Sequence, residues 1–347
     1  MNPYVLMILL SSLGLGTTLT FASSHWLLAW MGLEINTLAI IPLMAQHHHP
    51  RAVEATTKYF LTQATGAAMI LFAGTTNAWI TGEWDMNNMS SPATTMLMTA
   101  LALKIGLAPM HFWMPEVLQG LDLLTGLILS TWQKLAPLAL IIQIASTIDP
   151  FLLTALGLMS TLVGGWGGLN QTQLRKILAY SSIAHMGWMI IVLQYAPQLT
   201  LLALATYICM TSAAFLTLKT SSTTKISTLA MTWSNSPILT ATTALVLLSL
   251  GGLPPLTGFM PKWMILQELT KQSLPLIATT MALAALLSLY FYLRLCYAMT
   301  LTISPSTTNF TTPWRTQTTQ TSLPLSIFTT IALGLLPVTP AVLMLAN

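Results

Sequence analysis

Charge is what this sequence has least of: 6% of its 347 residues are Asp, Glu, Lys or Arg, where a soluble chain carries about 25%. So few charges cannot dress a soluble surface of this size, so lipid must supply much of the solvent. Cysteine is nearly absent. Cys209 and Cys296 both sit in apolar runs, which excludes a disulfide framework and a Cys-ligated zinc or iron–sulfur site. No basic n-region or cleavage site precedes Val5–Leu10, and no Arg-rich leader is present. Neither a signal peptide nor a transit peptide is expected, and the first helix is expected to be retained. Twelve basic residues spread over the chain make no nucleic-acid surface. His47-His48-His49 lies beside Pro50 and reads as a connection between helices, so no metal site is expected.

Apolar length is what the sequence does have. A spanning helix needs about 20 mostly apolar residues. Windows of that kind fall at 3–21, 24–45, 53–79, 92–115, 123–146, 150–169, 174–195, 198–218, 237–267, 275–300 and 323–345, with the Thr-rich stretch 220–236 able to hide or shift one. The predicted class is all-α: a polytopic membrane protein of about eleven spans, forming one transmembrane domain over 1–347. Basic residues in short connections face inward. With the N-terminus inside, the inner connections and their flanks hold Arg51, Arg175, Lys176, Lys219, Lys225 and Arg315. The outer ones hold Glu83, Asp85, Asp149 and Glu268, with Lys271 their one basic residue. That asymmetry places the N-terminus inside and the C-terminus outside.

The segment Leu101–Glu116 resembles Leu247–Lys262 at a fixed offset of 146 residues. Leu101/Leu247, Gly106/Gly252, Leu107/Leu253, Pro109/Pro255, Met114/Met260 and Pro115/Pro261 match, and aromatic Trp113 faces aromatic Phe259. Shared Gly, Pro and Met-Pro positions argue against chance alignment of Leu-rich runs. Five spans separate corresponding points, so the second copy is expected to be inverted in the membrane: residues 1–146 and 147–300 form two five-helix repeats, and 301–347 a polar loop and closing helix. Gly106 and Pro109 in one copy, and Gly252, Pro254 and Pro255 in the other, interrupt an apolar helix. Proline removes an amide donor and clashes one turn back, so each helix is expected to break. Paired broken helices in inverted repeats point to an ion site.

Charge inside a span is costly and marks function by default. Glu34 lies midway along the second span, Lys104 one turn before the first break, Lys134 near the centre of the fifth span, and Lys262 directly after the second break. A static buried ion pair is the alternative for the deep residues. Lys58 is a further candidate, against which stand snorkelling to an interface, an alternative that Lys262 shares, and an i,i+4 pair with Glu54. His111 and His185 are weaker candidates, because a core histidine is more often only hydrogen-bonded. Arg175, Lys176 and Arg294 read as topology anchors. Burial disfavours a charged lysine and a carboxylate restores it. One Glu–Lys attraction at ~4 Å and an effective dielectric of ~20 is about 4 kcal/mol. Moving a charge against ~150 mV costs about 3.5 kcal/mol, so making and breaking one pair is the right size to load or release a proton. An alkali cation would want oxygen ligands, and lysines predominate here; the ion expected is H⁺.

The run Asn170-Gln-Thr-Gln-Leu-Arg-Lys-Ile-Leu-Ala-Tyr-Ser-Ser-Ile-Ala-His-Met-Gly187 resembles the signature of the antiporter-like membrane subunits of respiratory complex I. Asn2-Pro3, Leu28–Asn36, His111–Glu116 and Gly251–Lys262 extend the resemblance over nearly the whole chain. It implies an inner mitochondrial membrane complex, with the N-terminus in the matrix and the C-terminus in the intermembrane space. Implied neighbours are antiporter-like chain 4, small chain 4L, supernumerary subunits, and lipids such as cardiolipin. Flavin, iron–sulfur clusters and quinone would belong to other subunits, and none to this chain. The resemblance also implies that Glu34 pairs with Lys104, that Lys134 bridges, and that Lys262 passes protons on. Family members commonly have fourteen spans, and this chain is expected to begin at what would be their fourth. A self-sufficient cation/proton exchanger and a structural spacer remain open beside the relay.

Overall fold

A computed structural model describes residues 2–46, 49–86, 88–302, 322–339 and 341. The chain runs through α1 (Pro3–Ala22), α2 (Trp26–Met44), α3 (Pro50–Thr81), α4 (Ser91–Ile105), α5 (Trp113–Gly120), α6 (Leu123–Ile144) and α7 (Pro150–Gly168). It continues through α8 (Leu174–Leu193), α9 (Pro197–Thr220), α10 (Ile226–Ala230), α11 (Thr232–Asn235), α12 (Pro237–Gly251), α13 (Phe259–Lys271), α14 (Pro275–Thr300) and α15 (Ser322–Gly334), with a 3-10 turn over Leu336–Val338. No strand occurs among the described residues; only two isolated bridges do. Proline opens α1, α3, α4, α9, α12 and α14, where its fixed φ fits and its missing N–H costs nothing.

Seven of these helices are long and apolar enough to cross a membrane: α1, α2, α6, α7, α8, α9 and α14. Pro237–Gly251 and Leu323–Gly334 are shorter apolar helices. α3 carries Arg51, Glu54 and Lys58 in its first turns and is not among the seven. The windows 92–115 and 237–267 are not continuous helices; each is two, separated at its Gly-Pro interruption. The stretch 220–236 holds only the short α10 and α11 and hides no span. The closing window 323–345 starts as α15 but that helix stops at Gly334. Its last part, and residues 303–321 of the polar loop, lie outside the described residues, as do His47 and His48. His49 caps α3, its Nδ1 accepting from the Arg51 N–H at 3.2 Å.

Two compact units divide the chain, Met1–Ser160 and Thr161–Asn347. In the first, α3 packs on α2, α4 and α5, and α6 packs on α1, α2 and α4. In the second, α9 packs on α8, α12, α13 and α15, and α14 packs on α8, α12 and α13. The local order repeats. At the same offset of 146 residues, the limits of α4 fall on those of α12, and the start of α5 falls on the start of α13. An isolated bridge joins the residue before α2 to the segment after α3 (His25 to Asp85), and another joins the residue before α8 to the segment after α9 (Gln173 to Lys225).

Candidate functional site

Each broken helix ends in the same way. Gly106 closes α4 at φ 84°, ψ 41°, and Gly252 closes α12 at φ 83°, ψ 43°. Both conformations lie in the left-handed region, which glycine adopts without the Cβ penalty. The amide of Gly106 donates to Ala102 O at 2.9 Å and that of Leu107 donates to the same oxygen at 2.9 Å. Gly252 and Leu253 both donate to Leu248 O, at 3.2 and 3.4 Å. A helix leaves its last carbonyls without intrahelical partners, and here the two units differ. After α4, the Trp113 indole donates to Leu103 O at 3.0 Å and the Gln63 amide to Lys104 O at 3.4 Å. After α12, the Lys262 ammonium folds back and donates to Gly251 O at 2.8 Å.

Neutral donors at the first break leave Lys104 uncommitted. It is 5% exposed, and its Nζ has no hydrogen-bond partner among the described residues. Lys104 and Lys134, the latter 2% exposed on α6, line one void with Asn36, Thr37, Tyr59, Gln63 and Gln133. The void leaves ≈ 10 Å³ for the centre of a water molecule. Glu34 does not line it. Its Oε2 accepts from the Thr37 hydroxyl at 3.0 Å, and no ion pair joins it to Lys104 among the described residues; its charge nevertheless lies within electrostatic range of Lys104 and Tyr59. The Tyr59 and Trp113 rings meet edge to face at 5.8 Å on the wall of the void.

In the second unit, Lys262 and His185 share a smaller void with Ser181, Ser288 and Tyr292, and the His185 ring lies 5.5 Å from that of Tyr207. His111 is buried just after the first break, its Nδ1 3.3 Å from Pro109 O. Lys58 stands apart from all of these. It bonds Glu54 and Glu116, each at 2.8 Å, with 42% of its side chain exposed. The Glu54 pair follows from the i,i+4 spacing, whereas Glu116 arrives from α5 and left no signal in sequence. Arg294 does more than anchor topology: its guanidinium donates to Leu169 O, just past the end of α7. Among the described residues no three His, Cys, Asp or Glu side chains gather to hold a metal. Asn36, Gln63 and Gln133 were missed in sequence, although each is a polar residue inside an apolar span and Gln133 adjoins Lys134.

A family model described as "NADH:quinone oxidoreductase/Mrp antiporter, TM" matches residues 23–288, and one described as "NADH dehydrogenase subunit 2 C-terminus" matches 289–343. The NADH-ubiquinone oxidoreductase chain 2 proteins of Carassius auratus and Danio rerio are 87% and 78% identical over 348 residues, with 100% of both chains covered in each case. A chain of respiratory complex I from Thermus thermophilus with bound aureothin superposes with a TM-score of 0.83 at 28% identity, covering 94% of this chain and 76% of that one. A chain of the Mrp complex from Dietzia sp. also reaches 0.83, at 15% identity and covering 97% and 76%; that likeness is one of fold alone. The chain belongs to the NADH:quinone oxidoreductase/Mrp antiporter membrane family and, within it, to the NADH-ubiquinone oxidoreductase chain 2 family.

Proposed function

We propose that this chain is a membrane-arm subunit of a proton-pumping NADH:ubiquinone oxidoreductase in the mitochondrial inner membrane, and that Glu34, Lys104, Lys134 and Lys262 relay its protons. The observation that carries the reading is Lys104 beside Lys134 on one buried void, the Lys104 ammonium held by no acceptor among the described residues. Ammonium groups facing a common void repel, so a proton reaching one displaces the proton on the other. Glu34, on its Thr37 hydroxyl, supplies the charge whose approach or withdrawal biases Lys104. His185 beside Lys262 is a continuation of the path in the second unit; His111 and Lys58 are the weaker candidates. Electron transfer from NADH through flavin and iron–sulfur clusters to quinone takes place in other subunits, and catalysis is a property of the assembly.

The architecture proposed is about eleven spans, counting α4 with α5 and α12 with α13 as one broken span each, in two inverted five-helix repeats closed by α15. The matched breaks at Gly106 and Gly252 support it. The N-terminus lies in the matrix and the C-terminus in the intermembrane space. Antiporter-like chain 4, small chain 4L, supernumerary subunits and lipids such as cardiolipin are the expected neighbours.

The test is Lys104→Met and Lys134→Met in the assembled complex, reading protons moved per NADH oxidised. Each is expected to lower that ratio while NADH oxidation by a hydrophilic acceptor continues. An unchanged ratio would leave the lysines as helix-positioning charges and sink the relay. Transport by the chain reconstituted alone would instead make it a self-sufficient exchanger.

A further inference from the structure

We propose that a cavity along the first half of α9 binds one acyl chain of a membrane phospholipid, laid from the membrane boundary to the second helix break. The proposal needs the chain to lie in a membrane and takes nothing from the relay, so the two stand or fall separately.

The cavity exists because α15 stops short. That helix ends at Gly334 after 13 residues, ~20 Å of helix, and Pro337 would clash with the Leu333 carbonyl in a longer one. A 3-10 turn over Leu336–Val338 follows instead. α9 runs for 24 residues, ~36 Å. Between the two a cavity of ≈ 430 Å³ opens. Leu201, Leu202, Ala205, Cys209 and Met210 line it at helical spacing from α9, and Ile331, Ala332 and Leu335 line it from the end of α15. Thr257 and Met260 complete it beside the second break. A Cβ on Gly258, between them, would stand 3.1 Å from Met210 Sδ, so the break adjoins the Met210 end.

Chemistry narrows the occupant. Both lining hydroxyls are spent on backbone: Thr206 donates to Ala203 O at 3.0 Å, and Thr257 to Ala332 O at 2.5 Å. No lining side chain holds a buried polar atom without a partner. An ordered water needs two to four polar partners, and these side chains offer it none. An extended peptide would bring backbone groups that apolar walls cannot satisfy. Left empty, the walls would forfeit their dispersion contacts.

Shape then selects among apolar occupants. An α-helix with its side chains is ~10 Å across, so one laid on this stretch would need roughly 1,400 Å³, far more than the cavity holds. A single aliphatic chain is thin enough. Twelve residues separate Gln198, at the mouth, from Met210, which makes ~18 Å of helix. One leaflet of a ~30 Å hydrocarbon core is ~15 Å deep. Ala205 and Leu201, the latter 52% exposed, stand on a helix long and apolar enough to cross the membrane. The cavity therefore continues the lipid-facing surface, and a chain enters it sideways from the bilayer. Gln198 is exposed in the first turn of α9, at the level of a headgroup.

The experiment uses the assembled complex in nanodiscs of phosphatidylcholine carrying a photoactivatable diazirine midway along one acyl chain. Illumination is expected to label residues 201–210 or 331–335. Ala205→Phe puts a ring into the cavity and is expected to abolish that label while labelling elsewhere on the chain is unchanged. In a map of the complex purified with its native lipids, density one aliphatic chain wide is expected along α9 from Gln198 to Met210. Mass spectrometry is expected to find one phospholipid fewer per Ala205→Phe complex. Density continuous with polypeptide, an empty cavity, or a quinone lost in place of the phospholipid overturns the proposal. So does a label absent from these residues, or one that Ala205→Phe leaves in place. If Ala205→Phe fails to assemble, the wild-type map and label decide. None of these readouts follows protons moved, so Lys104→Met at the wild-type ratio would sink the relay and leave this site standing.

Discussion

The two broken helices share a backbone and differ in what serves it. Gly106 and Gly252 turn the chain with the same left-handed geometry, and each turn strands carbonyls that need donors. In the first unit an indole and an amide satisfy Leu103 O and Lys104 O. In the second, an ammonium satisfies Gly251 O. The offset of 146 makes the exchange explicit: Lys104 corresponds to Leu250, and Lys262 corresponds to Glu116. Moving the lysine from before the break to after it converts an uncommitted buried cation into a helix cap. Which lysine is held by a carbonyl and which is left without an acceptor among the described residues thus differs between two breaks of the same backbone geometry.

Removing each lysine separates the two roles. Lys104→Met is expected to cause the largest loss of pumping and no loss of assembled complex. It deletes a buried charge that no hydrogen bond among the described residues supports, and such a charge costs stability instead of adding to it. Lys262→Met is expected to lower both quantities, since the Gly251 carbonyl loses its donor at a cost of about 1–3 kcal/mol. Protons per NADH and the midpoint of thermal inactivation, measured on both variants, check this. Equal thermal losses would show that the two lysines are held alike and would erase the distinction.

A smaller change should push the first break towards the second. Trp113→Phe keeps most of the ring against Tyr59 but withdraws the indole donor from Leu103 O. Leu103 O keeps the Gly106 N–H at 3.2 Å, so the cost is that of one lost hydrogen bond, about 0.5–1.5 kcal/mol, and Lys104, the next residue in the last turn of α4, is a cation able to answer the weakened carbonyl. A partial fall in protons per NADH is expected together with a lower thermal midpoint. A lower midpoint with full pumping would mean that Lys104 does not respond to the state of the carbonyl.

The breaks were legible because Gly and Pro leave their mark whatever surrounds them. Glycine at 106 and 252, followed by proline, placed both interruptions, and the helix limits of α4 and α12 repeat at the interval those residues defined. Burial of Lys104 and Lys134 was legible for a similar reason, since an apolar span leaves its charges nowhere else to go. The caps were not. Gln63 and Trp113 reach Leu103 and Lys104 from α3 and from beyond the break, and no periodicity records such a contact. Glu34 shows the opposite limit: its depth in α2 was readable, but its hydrogen bond to Thr37 instead of an ion pair with Lys104 depends on rotamers that spacing does not fix. Asn36 and Gln133 stood in plain view as polar residues in apolar spans and passed unremarked for want of a charge.

The smallest effect is expected at Glu116, the residue that occupies the place of Lys262. Its carboxylate faces Lys58 from the start of α5, with 53% of its side chain exposed against 42% for Lys58. Solvent screens a pair so placed, and Glu54 still holds Lys58 from the other side at 2.8 Å. Glu116→Gln therefore leaves Lys58 with a partner and Lys104 with the same void, cap and neighbours. Protons per NADH and the thermal midpoint are both expected at wild-type values, with no dependence on salt. A fall in pumping comparable to that of Lys104→Met would place Lys58 in the relay. It would also mean that the first unit, like the second, works through the residue after its break, so that the two halves run on one design despite their different caps.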